Sequence, residues 1–354
     1  MFIVCFILKK CFSNFCKIPT QSLTVPEVIN MPVIKKIKDK LYNSSYDPKK
    51  TNRELDNLRK EFKAYKKEND RIIKSNNEFF NRIFLDFELK PKGALKLIQE
   101  LCLELLDFYA NVCNKHDLEF WLDFGNLLGA VRHGSYIPWD DDIDVGMMRK
   151  DSLKFNEIFM DEVKLHNMDD MISISKQRVT TRTNLRPFSQ IKILKKNVLY
   201  GCLDIFPYDY IINPSESTEQ KYLNAKVEYY NNIYDGMSKN EVLKIFYDDL
   251  NCSYDEQEYL LPSIEGPFGK NKYKFKLFRK DKIFPLGKVE YGGRIYPAPN
   301  DINDYLNKIY GENYMRIPKI ISYHERLNFL RNEENLEENY SYFIKRMKKV
   351  NEEF

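Results

Sequence analysis

Residues 121–146 read WLDFGNLLGAVRHGSYIPWDDDIDVG and place four aspartates, at 140, 141, 142 and 144, within five positions. Side chains alternate along an extended strand, so Asp140, Asp142 and Asp144 share one face while Ile143 and Val145 enter a core. Carboxylates crowded in this way repel by ~3 kcal/mol per pair at ~5 Å and an effective dielectric of ~20. A hard divalent cation, Mg²⁺ or Mn²⁺, relieves that repulsion and accepts phosphate oxygens beside the carboxylates. The stretch reads as a metal-dependent phosphate site.

Two other readings compete with it. A solvated acidic loop fits poorly, because Ile143, Val145, Met147 and Met148 interleave apolar groups as a strand at the rim of a core would. A calcium loop would put Asp140, Asp142, Asp144 and Asp151 at its positions 1, 3, 5 and 12, but its sixth position needs Gly and here is Val145. Upstream, Phe120–Phe124 is a strand candidate, Gly125 and Asn126 follow as a turn, and Leu127–Val131 starts a short helix. Strand, Gly turn and helix N-terminus form a cradle in which backbone N–H groups meet an anion.

The run GNLLGAVRHGSYIPWDDDIDVGMMRKD, residues 125–151, resembles the LicD family of phosphotransferases, to which the fukutin-type proteins are also similar. LDIFPYD at Leu203–Asp209 and the segment Gly287–Pro318 extend the resemblance to roughly residues 95–325. It implies an α+β, nucleotidyltransferase-like fold with a mixed β-sheet flanked by helices. It also implies transfer of a phospho-alcohol, such as phosphocholine or ribitol phosphate, from a CDP-activated donor to a sugar hydroxyl. Position by position, it makes Asp142 and Asp144 metal ligands and Asp204 the third; for the general base, the residues themselves leave Asp204 and Asp141 as candidates. The residues themselves support Asp204, since a lone carboxylate in the apolar run Cys202–Phe206 is costly unless paired or bound to a cation. The competing reading makes Asp204 a cap before a bend at Phe206–Pro207.

Substrate-binding candidates are Gly125, Asn126, Arg132, His133, Trp139 and Lys192. The planar fork of Arg132 suits a phosphate clamp, and His133 carries the side chain that ordinarily titrates near neutrality. Lys192, in SQIKILKK, fits contact with the donor's diphosphate and equally a surface lysine. Where such sequences commonly carry Thr after an Asn, Val198 follows Asn197 here. Trp121, Tyr136, Ile137 and Trp139 offer apolar walls near the carboxylates.

The remaining chain sets bounds. The 354 residues, 43% of them apolar, suffice for a large core, and a net charge of +4 with dispersed lysines lacks the footprint of a nucleic-acid binder. Cysteines at 5, 11, 16, 102, 113, 202 and 252 form no zinc or disulfide pattern, which fits a cytoplasmic chain. MFIVCFILKK has eight apolar residues before Lys9, too few to span a bilayer, though the segment fits peripheral contact at the inner membrane face as well as plain packing. Residues 1–50 read as an N-terminal segment and linker, 51–91 as a helical arm, 92–330 as the catalytic domain and 331–354 as a charged helix or tail.

Leu55, Leu58, Phe62, Tyr65, Asn69, Ile72, Asn76 and Phe79 recur by threes and fours. That stripe fits a homodimeric coiled coil and equally a helix docked on its own catalytic domain. Lys92–His116 predicts an amphipathic helix, and strands are expected at 119–124, 143–148, 171–176, 189–195 and 202–206. Helices are expected at 218–234, 239–250 and 301–310, the last capped by Asn300, with a hairpin turning at Gly292-Gly293. The functional expectation is phospho-alcohol transfer from a CDP-activated donor to a glycan or glycolipid hydroxyl with Mg²⁺ or Mn²⁺. Its rivals are nucleotidyl transfer at the same site and a coiled-coil scaffold carrying a relic of one.

Overall fold

The computed structural model describes residues 48–354 apart from 88, 176–177, 182–183, 187, 267–274, 319–326, 328–329 and 331–332. The expectations for the apolar N-terminus therefore lie outside the described residues. The chain divides into two units, Met1–Ile73 and Lys74–Phe354. The helix Pro48–Asp86 (α1) exposes Phe62, Tyr65 and Ile72 in the first unit and Phe79 and Phe80 in the second.

The second unit is built on one mixed sheet. Its central path is β1 (Phe120–Leu122), β2 (Ile143–Met148), β7 (Val198–Ile211), β6 (Ser189–Lys195) and β3 (Ile172–Ser175), in that order. Only β2 and β7 run parallel on this path; the other neighbours are antiparallel. The short β4 (Arg178–Thr181) and β5 (Asn184–Arg186) pair with each other, and β8 (Cys252–Ser253), β9 (Tyr259–Pro262) and β10 (Phe278–Arg279) extend the far end of β7. The mixed sheet flanked by helices agrees with the α+β expectation, and the predicted strands and helices fall where their periodicity put them.

The pleat sorts the residues of the two parallel strands. Ile143, Val145 and Met147 on β2 and Leu203 and Ile205 on β7 are buried in the core. That core includes Ile98, Leu101, Cys102 and Leu105 of α2 (Ala94–Lys115). Asp144 and Asp204 alternate to the other face. The C-terminal helix α9 (Leu336–Glu352) adds Tyr340, Phe343, Met347 and Val350 to the same core, and Tyr340 Oη donates to the Tyr200 carbonyl at 2.7 Å. A second core forms between α5 (Thr218–Tyr234), α6 (Lys239–Leu250) and β9, around Tyr229, Phe246 and Leu261.

Three local expectations are corrected. Asp204 does not cap a bend, because β7 runs on through Phe206 and Pro207 to Ile211. Pro207 is tolerated since β6 ends opposite Ile205 and β9 begins opposite Tyr208, so no neighbour on that side needs the missing N–H. Gly125 and Asn126 are not a turn: helix α3 (Phe124–His133) already includes them, and Asp123 caps it by accepting from the Phe124 N–H at 2.7 Å. Helix α8 (Ile302–Tyr310) is capped by Asp301, which accepts from the Asp304 N–H, rather than by Asn300.

Candidate functional site

Parallel pairing of β2 with β7 puts Asp144 directly opposite Asp204. Asp142 lies two residues before Asp144, at the entry to β2. One carboxylate oxygen from each of Asp142, Asp144 and Asp204 comes within 4.8 Å of the other two, and Asp140, Asp141 and Asp142 form an adjoining trio. Asp141, Asp142 and Asp204 are buried. Burial raises the Asp144 carboxyl well above the ordinary range, and Asp142, Asp204, Asp140 and Asp123 push it further the same way. An all-oxygen donor set of this kind could hold a hard divalent ion, whose charge would reverse that upward pressure.

The backbone carrying these groups is fixed from three sides. Asn126 is buried; its Oδ1 accepts from the Asp144 N–H at 2.6 Å, while Nδ2 donates to the Asp142 carbonyl at 3.2 Å and to Tyr291 Oη at 2.7 Å. This geometry makes Asn126 a strut for the acidic strand, where the sequence suggested substrate contact. Gln99 of α2 donates to the Asp140 carbonyl at 2.8 Å. Gly125 has a reason other than turn geometry: a Cβ there would come within 2.8 Å of Asp140 Oδ2. At Gly146 a Cβ would fall 2.3 Å from the Trp121 ring, which crosses the strand at that point.

The other expected binding residues have contacts of their own. Arg132 donates from Nη1 to the carbonyls of Tyr314 and Arg316 and from Nε to His133 Nε2, so these donors pin the chain near residue 315. Burial, with Arg132 alongside, pushes His133 down to about 4, so it stays neutral at pH 7 and does not titrate in the range expected of it. Trp139 packs edge-on against Phe84 of α1 at 5.1 Å, and Phe84 also meets the His133 ring at 6.0 Å. Lys192 lies two residues along β6 from Gln190, on the face that carries Asp204.

Two contributions have no sequence signature. Gln190, buried and directly opposite Asp204, donates from Nε2 to Asp204 Oδ1 at 2.6 Å. Asp123 is wholly buried and accepts from Tyr305 Oη at 2.6 Å and Tyr208 Oη at 2.8 Å, while its own N–H donates to the Asp144 carbonyl. Burial pushes the Asp123 carboxyl up to about 6, against the lowering effect of the Tyr305 and Tyr208 hydroxyls and the Phe124 N–H. A raised carboxyl stabilises the fold below its unfolded value, near 3.8, and that contribution is lost as pH rises through about 6. Asp123→Asn should therefore gain on the wild type by roughly 2 kcal/mol between pH 4 and pH 7. Denaturant melts in EDTA at the two pH values check this; a constant difference would contradict it.

A separate groove, lined by Glu119, Met148, Lys150, Tyr210, Tyr254 and Phe284, opens at the other end of β2 and β7 and holds none of the acidic trio. No helix among the described residues is long and apolar enough to cross a membrane.

Comparison with known proteins bears on this arrangement directly. Residues 117–246, which hold both acidic strands, match the family described as LicD/FKTN/FKRP, nucleotidyltransferase domain. The chain carries a LicD-family domain. It is 28% identical over 258 residues to the lipopolysaccharide cholinephosphotransferase LicD of Haemophilus influenzae, covering 64% of this chain and 93% of that protein. It is also 42% identical over 61 residues to the ribitol 5-phosphate transferase FKRP of human and of mouse, covering 17% of this chain and 12% of those proteins. The likeness to the Haemophilus influenzae protein, which extends over nearly all of its length, supports reading this chain as a phosphotransferase. The β11–β12 hairpin (Gly287–Tyr291 and Arg294–Ala298) and α8 lie beyond the matched domain, yet Tyr291 and Tyr305 reach back to Asn126 and Asp123.

Proposed function

We propose that the protein transfers a phospho-alcohol, such as phosphocholine or a polyol phosphate, from a CDP-activated donor to a hydroxyl of a glycan or glycolipid. The observation that carries this reading is the convergence within 4.8 Å of Asp144 and Asp204, on two parallel strands, with Asp142 at the entry to the first. Those three carboxylates would hold Mg²⁺ or Mn²⁺, which when bound neutralises charge on the donor's phosphates. The protein's own part is positional: Asn126 fixes the Asp142–Asp144 backbone, and Asp141 and Asp204 are the candidates for accepting the hydroxyl proton. Trp139 and Phe84 form an aromatic wall on which a cationic or sugar group can pack. Lys192 and Arg132 are the proposed sources of positive charge for the donor's diphosphate. The setting proposed is cytoplasmic, at the inner membrane face, with the exposed stripe of α1 serving a homodimer.

Transfer of a nucleoside monophosphate is the second reading, favoured by the nucleotidyltransferase domain that the chain matches. Product analysis separates the two. With a CDP-alcohol, acceptor glycan and Mg²⁺, release of CMP and a phospho-alcohol on the acceptor is the expected result. Appearance of the nucleoside monophosphate on the acceptor would overturn it.

A further inference from the structure

Across three adjacent strands, one row runs Asp144, Asp204, Gln190, each directly opposite the next. The first two are the carboxylates assigned to the metal. The third is a neutral amide at 3% exposure, in a strand whose neighbouring Ile191 and Ile193 are fully buried. A primary amide buried at such a position is costly unless its donors and acceptor are used. Gln190 Nε2 donates to Asp204 Oδ1 at 2.6 Å. Asp204 is itself 7% exposed, so water is a poor substitute for that donor.

This bond has two physical consequences. It restrains the Asp204 carboxylate plane from the side away from Asp144, leaving that group oriented toward its carboxylate neighbours. It also supports the carboxylate from outside the positions a cation would occupy, as outer partners of metal-ligating carboxylates do. An acid in place of Gln190 would add negative charge to the row, and an apolar residue would leave Asp204 without this donor.

We infer that Gln190 is a positioning residue for the metal centre, acting through Asp204 rather than by touching substrate. The inference rests on the reading of Asp142, Asp144 and Asp204 as metal ligands and extends it to the antiparallel neighbour strand. Outer partners of this kind are worth about 10–100-fold in metal affinity or activity.

The test measures Mn²⁺ itself on the full chain, by electron paramagnetic resonance and calorimetric titration, without turnover. Gln190→Met keeps the length and volume of the side chain and removes the amide. It should weaken Mn²⁺ binding by about 10–100-fold and change the resonance of the bound ion, with the melting temperature in EDTA showing the protein folded. Ser189→Ala, which alters the adjacent position where Ser189 Oγ donates to Asn156, should retain wild-type affinity. Wild-type Mn²⁺ affinity in Gln190→Met would overturn the inference while leaving the metal centre standing. Should Gln190→Met fail to fold, Gln190→Asn is the second variant: its amide is one methylene too short to reach Asp204, and full affinity there would overturn the inference equally. If the wild type and Asp204→Asn bind Mn²⁺ alike, the metal reading itself fails and this inference falls with it.

Discussion

Asp144→Ala is expected to lose metal-dependent turnover by at least about a thousandfold, equivalent to roughly 4 kcal/mol of transition-state stabilisation. The same change should leave the metal-free protein as stable as the wild type or more so. Asp144 sits among Asp142, Asp204, Asp140 and Asp123, and burial together with those charges already raises its carboxyl well above the ordinary range. Removing it relieves both the repulsion and the desolvation of a buried charge. Activity and stability thus move in opposite directions, which separates a functional carboxylate from a structural one. Turnover assays with Mg²⁺, paired with thermal melts in EDTA, read both. A variant that keeps its activity, or one that loses activity because it unfolds, would contradict this assignment.

Arg149→Met is expected to destabilise the fold by about 3–5 kcal/mol, because it strands buried carboxylates without their counter-charge. Arg149 follows β2 directly and lies at the start of helix α4 (Arg149–Leu165). Its guanidinium donates to both oxygens of Asp209 on β7, at 2.9 and 3.0 Å, and from Nη1 to Glu265 at 2.9 Å, with Ser263 also in contact. Asp209 and Glu265 are almost fully buried. Lys239 at 3.0 Å and Tyr247 at 2.6 Å complete the network but cannot replace the fork. The bridge joins the ends of the two strands that carry Asp144 and Asp204, one residue beyond the last paired position, Met148 with Tyr208.

The pH dependence of that loss has a definite sign. Burial works to raise the Glu265 carboxyl, and Arg149 with Lys239 more than offsets it, holding the group well below the usual range. A lowered carboxyl contributes stability that is present above its unfolded value of about 4.5 and lost only as pH falls through the folded value. Without Arg149 the burial effect prevails, so the variant's deficit should be largest at neutral pH and shrink as pH falls toward 4. Urea unfolding across that range measures it. A deficit under 1 kcal/mol at pH 7 would show the network to be dispensable.

The acidic strand was legible in the sequence because its chemistry is local: four carboxylates within five residues are costly whatever surrounds them. Asp204 was legible for a related reason, as a charge set in an apolar strand. The groups that hold these residues in place were not. Gln190 meets Asp204 only through antiparallel pairing of β6 with β7, and Arg149 reaches Glu265 across 116 positions of chain. No periodicity or motif encodes such a pairing. Asp123 looked like the end of a strand, although it is a helix cap that also receives Tyr208 and Tyr305. Gly125 suggested a turn, because sequence alone does not distinguish a glycine needed for its backbone freedom from one needed to make room for Asp140. His133 shows the limit from the other side, since its ordinary titration range gives way to burial beside Arg132.

The central claim is that Asp142, Asp144 and Asp204 act together by sharing a divalent cation with the donor's phosphates. Stripping the protein with EDTA and following CMP release from a CDP-alcohol tests it most directly. Activity should vanish on chelation and return on adding Mg²⁺ or Mn²⁺ to the wild type, but not to Asp144→Ala. Turnover that persists undiminished in the chelated protein would contradict the account.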